Sequence, residues 1–132
     1  MANRKKQIAS HLTGAAYVWI GVMHFIDPLL FTPLVPELIG APIFWVYLSG
    51  VAEVALGLGL CVDRSRPYAS RIIILMLLVL YSANLNMWLN DIPFNGHVMS
   101  TGEHVVRALM QLFLIMVALW LSDLKMTEKS KQ

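Results

Sequence analysis

A chain of 132 residues with 58% hydrophobic and only 14% charged side chains lies far from the composition of an average soluble protein, which excludes a water-soluble domain as the bulk of the molecule. The formal net charge of +2 comes without a basic stripe interleaved with aromatics, so no nucleic-acid partner is expected. Cys61 is the one cysteine, and a thiol relay within a single chain is excluded with it.

Arg4, Lys5 and Lys6 open the chain and precede an apolar run over 8–26. The run is too long for a signal-peptide core and lacks a small-residue cleavage site, so it is expected to stay attached as the first helix. Gly14, Tyr17, Gly21 and His24 recur on it at helical spacing. The connection that follows combines Pro28, Pro33, Pro36 and Pro42 with Leu29, Leu30 and Phe31. It is too apolar for a free loop and too rich in proline for a long helix, and is expected to lie on the membrane surface or over the mouth of a bundle. A second run over 43–62 starts behind Pro42, at a first-turn position where proline is tolerated. It carries Gly50, Glu53 and Gly57 on one face. Arg64, Arg66 and Arg71 mark the next connection. Pro67 opens a third helix around the apolar run 72–89, in which Asn84 shares a face with Met87 and Trp88 while Asn86 points elsewhere. The connection 90–104 contains no lysine or arginine; His97, Glu103 and His104 fall there, and the spacing reads as a solvated loop in preference to a metal site. Ser100 and Glu103 have capping-box spacing. A fourth helix therefore begins near Thr101 and carries Arg107 and Gln111 on one face through the run 105–121. Lys125, Lys129 and Lys131 follow it. Trp19, Trp45, Trp88 and Trp120 lie mostly near segment ends, as interfacial anchors do.

Each run approaches the roughly 20 residues that cross a bilayer. The expected fold is all-α, an integral membrane four-helix bundle forming a single domain over 1–132, with helices at about 8–26, 43–62, 68–89 and 101–122. The basic residues flank alternate connections, which places both termini in the cytoplasm.

A carboxylate at membrane depth requires a partner, a proton or a function. Glu53 is such a group, and His24, Asn84, Arg107 and Gln111 are polar residues in the other three runs. At 1.5 Å per residue Glu53 lies roughly 15 Å below the outer start of its helix and Asn84 roughly 8 Å below the outer end of its own. These five residues are therefore expected to converge on one pocket in the outer half of the bundle, open outward or sideways, with Glu53 and Arg107 paired across the second and fourth helices. Glu53 and His24 are the catalytic candidates, as proton carriers; all five are candidate ligand contacts. Each has a plainer reading as well: an ion pair for Glu53 and Arg107, interhelical hydrogen bonds for Asn84 and Gln111, and a carbonyl or water contact for His24. Paired inward histidines for haem, and phosphate- or dinucleotide-binding loops, are missing from the sequence.

Gly21, His24, Phe25 and Pro28, then Tyr47, Gly50, Glu53, Gly57 and Gly59, then Asn84 and Met87, then Arg107 and Gln111 resemble, in this order and over about 17–120, the DoxX-like family of small four-helix membrane proteins. Ser82 departs from the pattern, since the family often has proline before the Ala-Asn pair, and helix 3 is expected to be straighter here. The resemblance implies a membrane subunit associated with redox chemistry, quinone-linked in some relatives, and in an animal branch a receptor-assembly chaperone. The expected ligand is a quinone-like or other small amphiphile, with no haem or metal; the expected partners are the lipid bilayer and that amphiphile or a partner membrane protein, with a homo-oligomer open. The expected location is a bacterial cytoplasmic (inner) membrane. An assembly factor without catalysis and a small transporter are the alternatives.

Overall fold

The computed structural model describes residues 2–123, and these fold into four α-helices with no strand among them: α1 (Ala2–Ile26), α2 (Pro42–Cys61), α3 (Arg66–Leu89) and α4 (Thr101–Leu121). Lys125, Lys129 and Lys131 lie outside the described residues. α2, α3 and α4 are each long and apolar enough to cross a membrane. α1 is not, taken alone: it reaches that standard only together with the segment Pro28–Leu34, against which it is bent by 99°. Of the four expected spanning runs three therefore meet the standard alone and the fourth only with that segment, because Ser10, His11, Thr13 and His24 dilute the apolar character of α1. This helix also starts at Ala2 rather than Ile8, so its first turns carry the basic cluster.

α1 and α2 make the closest packing in the molecule, and glycine is the reason. A methyl group on Gly14 would stand 2.5 Å from the Gly57 carbonyl oxygen, and one on Gly57 would stand 2.6 Å from that of Gly14. Two turns further on, Gly21 faces the Gly50 carbonyl in the same way, at 2.8 Å. Small residues let transmembrane helix backbones approach to contact distance. Because 14 pairs with 57 and 21 with 50, the two helices run antiparallel. α3 and α4 are antiparallel too, with Trp88 stacked on His104 at 5.2 Å between ring centres and Gln111 reaching back to Leu77. The buried core lies between these pairs, where Tyr17, Leu56 and Leu60 meet Ile73, Leu77, Ala118 and Leu121.

The two ends of the bundle differ in chemistry. One end gathers Arg4, Lys5, Lys6, Arg64, Arg66 and Arg71, and an ion pair between Lys6 and Asp123 brings the start of α1 to the residues after α4. Here Arg66 is buried: its Nε donates to the Leu60 carbonyl (3.1 Å), satisfying an orphan acceptor at the end of α2, and its Nη2 pairs with Asp63. Ser65 Oγ does the same for the Gly59 carbonyl (2.8 Å). The opposite end carries the two longer connections. The first forms three short 3₁₀ turns, Pro28–Leu30, Thr32–Leu34 and Glu37–Ile39, that fold over the bundle and leave Leu38 fully exposed. The second turns at Asn95-Gly96, both at positive φ, between Phe94 and His97, which exchange backbone hydrogen bonds; the Asn-Gly pair suits such a turn because both positions need the left-handed region. Ser100 and Glu103 form the capping box that starts α4.

Candidate functional site

Glu53 is buried, 5% exposed, on the face of α2 that meets α1. Gly50, one turn before it, allows the His24 side chain to enter: a methyl on Gly50 would lie 2.9 Å from His24 Cβ. His24 Nδ1 donates to the Ile20 carbonyl at 2.8 Å. A carbonyl only accepts, so Nδ1 carries the hydrogen. Glu53 Oε2 sits 3.3 Å from that same nitrogen but outside its hydrogen-bond direction, and this oxygen is buried with no hydrogen-bond partner. Such an atom in a low-dielectric interior has a high free-energy cost and marks a place where a proton or ligand can add a bond.

Asn84, Arg107 and Gln111 form a second unit, between α3 and α4. Arg107 Nη2 donates to Asn84 Oδ1 (2.5 Å), Asn84 Nδ2 to Gln111 Oε1 (2.7 Å), and Gln111 Nε2 to the Leu77 carbonyl (2.6 Å). Arg107 Nη1 faces the Met87 and Met99 sulfurs, each at 3.7 Å. The amide groups of Asn84 and Gln111 therefore each have a partner within the protein. Asn86 stands apart, its Oδ1 accepting from Asn90 along α3.

The five residues singled out from sequence thus fall into two groups, and the expected ion pair between Glu53 and Arg107 is not formed. Glu53 faces α1, and Arg107 faces α3. What joins the groups is aromatic. Phe31, from the first connection, stacks on His24 with ring centres 3.9 Å apart; Phe94, from the second, meets Phe31 edge-on at 6.3 Å; and the Arg107 guanidinium lies over Phe94 at 5.9 Å. Neither phenylalanine was a site candidate from sequence, Phe31 counting only toward the apolar character of its connection, because both lie in connections rather than at helical spacing. Two rings packed between polar groups leave no pattern in a linear chain.

A cavity of about 410 Å³ opens beside the first group, between α2 and α3, within the range of about 300–1,000 Å³ common for small-molecule sites. Leu34, Val35, Pro36 and Ile39 of the first connection roof it, and it extends down to Leu56 and Ile72. It therefore reaches past the middle of the bundle, where the sequence pointed to the outer half alone. Of the five candidates only His24 lines it. Ser49, one turn from Glu53, lines it as well, and its Oγ is buried without a partner. The sequence signal for Ser49 was present, a hydroxyl at i−4 from the carboxylate of the apolar run, but serine is common enough in helices that the spacing alone carried no weight.

His97 and His104 part company. His97 Nε2 contacts the Glu103 carboxylate at 3.1 Å on the surface, whereas His104 is buried against Trp88 inside α4, so it is not the solvated loop residue expected. Among the described residues no three His, Cys, Asp or Glu side chains come together to hold a metal ion.

A family model described as Domain of unknown function (DUF8561) matches residues 13–122, from the glycine face of α1 to the end of α4. No curated protein and no solved structure matches the chain.

Proposed function

We propose that the chain, which belongs to the DUF8561 family, is an integral membrane protein that binds a quinone-like or other small amphiphile inside its bundle and serves as a membrane subunit associated with redox chemistry. The observation that carries this reading is the 410 Å³ cavity whose wall includes His24, next to the buried and unpartnered Glu53 Oε2. An apolar cavity with a few polar groups at one place is the usual form of a small-molecule site. Glu53 and His24 are a carboxylate and an imidazole in contact, the pair of groups best suited to passing a proton to or from a bound molecule. His24, whose Nδ1 is committed to the Ile20 carbonyl, is the cavity-wall residue whose Nε2 fits a hydroxyl of such a ligand. Asn84, Arg107 and Gln111 hold α3 to α4, and reach the ligand site only through Phe94 and Phe31. The redox association is supported by the resemblance to DoxX-like proteins.

The basic end of the bundle supports a cytoplasmic position for both termini, and a bacterial cytoplasmic membrane as the location. In that orientation the roof formed by 28–39 lies on the extracytoplasmic face.

Native mass spectrometry of protein purified without added ligand tests the reading. A small hydrophobic mass retained by the wild type and lost in Ala52→Trp, which fills the cavity wall, is the expected result. Retention of no such mass by the wild type would favour an assembly factor that recognises another membrane protein.

A further inference from the structure

We infer that the cavity takes a single long hydrocarbon chain, laid along α2 and α3, and that this chain enters sideways from the lipid through a gap between the two helices. The inference rests on the reading of this cavity as a ligand site in a membrane protein. It adds the part of the ligand that the cavity holds and the route by which it loads.

The gap follows from which helix holds which. Near the basic end α2 and α3 touch: a methyl on Gly59 would stand 3.1 Å from Ala69 Cβ, and Arg66 Nε donates to the Leu60 carbonyl at 3.1 Å. Toward the other end each is drawn to a different neighbour. α2 follows α1 along the Gly21–Gly50 contact, and α3 follows α4, because Gln111 is bonded to both the Leu77 carbonyl and Asn84. The two helices therefore part beyond their common turn, and the cavity fills the angle. Its roof is pinned by Phe31, packed between His24 and Phe94. Its side is not closed: Leu75 and Val79 of α3 line it while remaining 63% and 62% exposed, and Leu48 of α2, 47% exposed, stands on the opposite rim. These rim residues lie well inside their helices, at a level where the surroundings of a spanning helix are hydrocarbon.

Size and charge name the occupant. The walls run over 45–56 of α2 and 72–83 of α3, each about 16 Å long at 1.5 Å per residue. That is close to the length of one leaflet's tails, half of a hydrocarbon core about 30 Å thick. A partner helix, about 10–12 Å across, would need on the order of 1,200 Å³ over this length, and the cavity has about 410 Å³. An extended carbon chain is thin enough, and at about 1.2 Å per bond it spans the space with about 14 carbons. No aspartate, glutamate, lysine or arginine lines the walls, so they offer no counter-charge to a headgroup. A tail beside the protein already runs along the helices, and on entering sideways it moves from one apolar surrounding to another. Passage through the roof would instead carry each methylene through water.

The experiment places the full chain in phosphatidylcholine vesicles containing either a phosphatidylcholine with a diazirine at the end of one acyl chain or a tetradecanol with the same group. After photolysis, labelled residues are mapped by mass spectrometry. Leu58, 57% exposed on α2 and outside the cavity, is the reference for ordinary lipid contact. Ala52, Leu56 and Met76 on the cavity wall are labelled in the wild type at least as strongly as Leu58. Labelling by the phosphatidylcholine identifies a lipid acyl chain as the occupant, and labelling by the alcohol alone identifies a free single-chain amphiphile. Val79→Trp, which crowds the rim, lowers wall labelling relative to Leu58 at least about fivefold, and Leu75→Trp on the same rim repeats the effect. Leu78→Trp, exposed but outside the cavity, leaves the ratio unchanged. All three positions are exposed, so the variants keep the wild-type melting temperature. Wall residues left unlabelled beside a labelled Leu58, or a ratio that neither rim variant lowers, overturns the sideways route. If the protein purified without added ligand still retains a small hydrophobic mass, the cavity remains a ligand site that loads by another path. If it retains none, the reading beneath the inference falls with it.

Discussion

At the scale of single residues, the most consequential finding is that the polar groups within the apolar helices are not interchangeable members of one cluster. Glu53 keeps an oxygen without a partner, whereas both polar groups of Asn84 are engaged, Oδ1 accepting from Arg107 and Nδ2 donating to Gln111. Replacing Asn84 by leucine therefore strands a guanidinium and an amide together, and should destabilise the protein in detergent by about 1–3 kcal/mol. The same change at Asn86, whose side-chain oxygen accepts from the exposed Asn90, should cost well under half of that; comparable losses at the two positions in thermal melts would contradict the network. A double-mutant cycle checks the separation of the groups. Glu53→Gln and His24→Asn should be non-additive because the side chains touch. Glu53→Gln and Arg107→Gln should add to within about 0.5 kcal/mol, as sites without shared partners do, and strong coupling between those two would restore the ion pair that the geometry lacks.

At the scale of elements, α1 and α2 act as one unit built on four glycines. Their contact is made by backbone atoms, which cannot rotate away as a side chain can. A methyl group placed at Gly14, 2.5 Å from the Gly57 carbonyl, must separate the helices. Gly14→Ala should thus destabilise by at least about 2 kcal/mol, in the manner of an overpacked core. It should also disturb His24 and Glu53, which lie further along the same seam. Gly102 offers the contrast: a methyl there meets nothing closer than Ser100 Oγ at 3.9 Å, and Gly102→Ala should be neutral or mildly stabilising. Equal effects of the two substitutions would mean that the seam is not formed. α4 depends on a different kind of contact, its cap; Ser100→Ala removes the capping bond to the Glu103 amide at a cost of about 1 kcal/mol.

For the whole molecule, the proposed topology follows from the segregation of basic residues to one end. Single cysteines placed in a Cys61→Ser background test it. Arg64→Cys, on the exposed turn between α2 and α3, should react only from the cytoplasmic side, and Val98→Cys, exposed on the second long connection, only from the other. Reaction of both from one side would rule the bundle orientation out. Ser65 is a poorer site for such a label, since its hydroxyl closes the end of α2.

The sequence by itself determined the helices, because the signals involved are local. Apolar length, Pro42 and Pro67 at first-turn positions, the Ser100–Glu103 box and glycines spaced by seven act within one or two turns of chain. It also singled out Glu53, His24, Asn84, Arg107 and Gln111, since a polar group in an apolar run stands out wherever the helix later packs. Which of these meet was decided only by the tertiary structure. Contact between helices depends on rotation about each axis and on crossing geometry, and neither is encoded in spacing along one helix. The Gly50 and Gly57 contacts turn Glu53 toward α1 and so away from Arg107; the bend after Ile26 brings Phe31 onto His24 and the 28–39 turns over the cavity. The cavity itself is a property of the space left between packed helices, and that space exists only once all the side chains around it have taken their places.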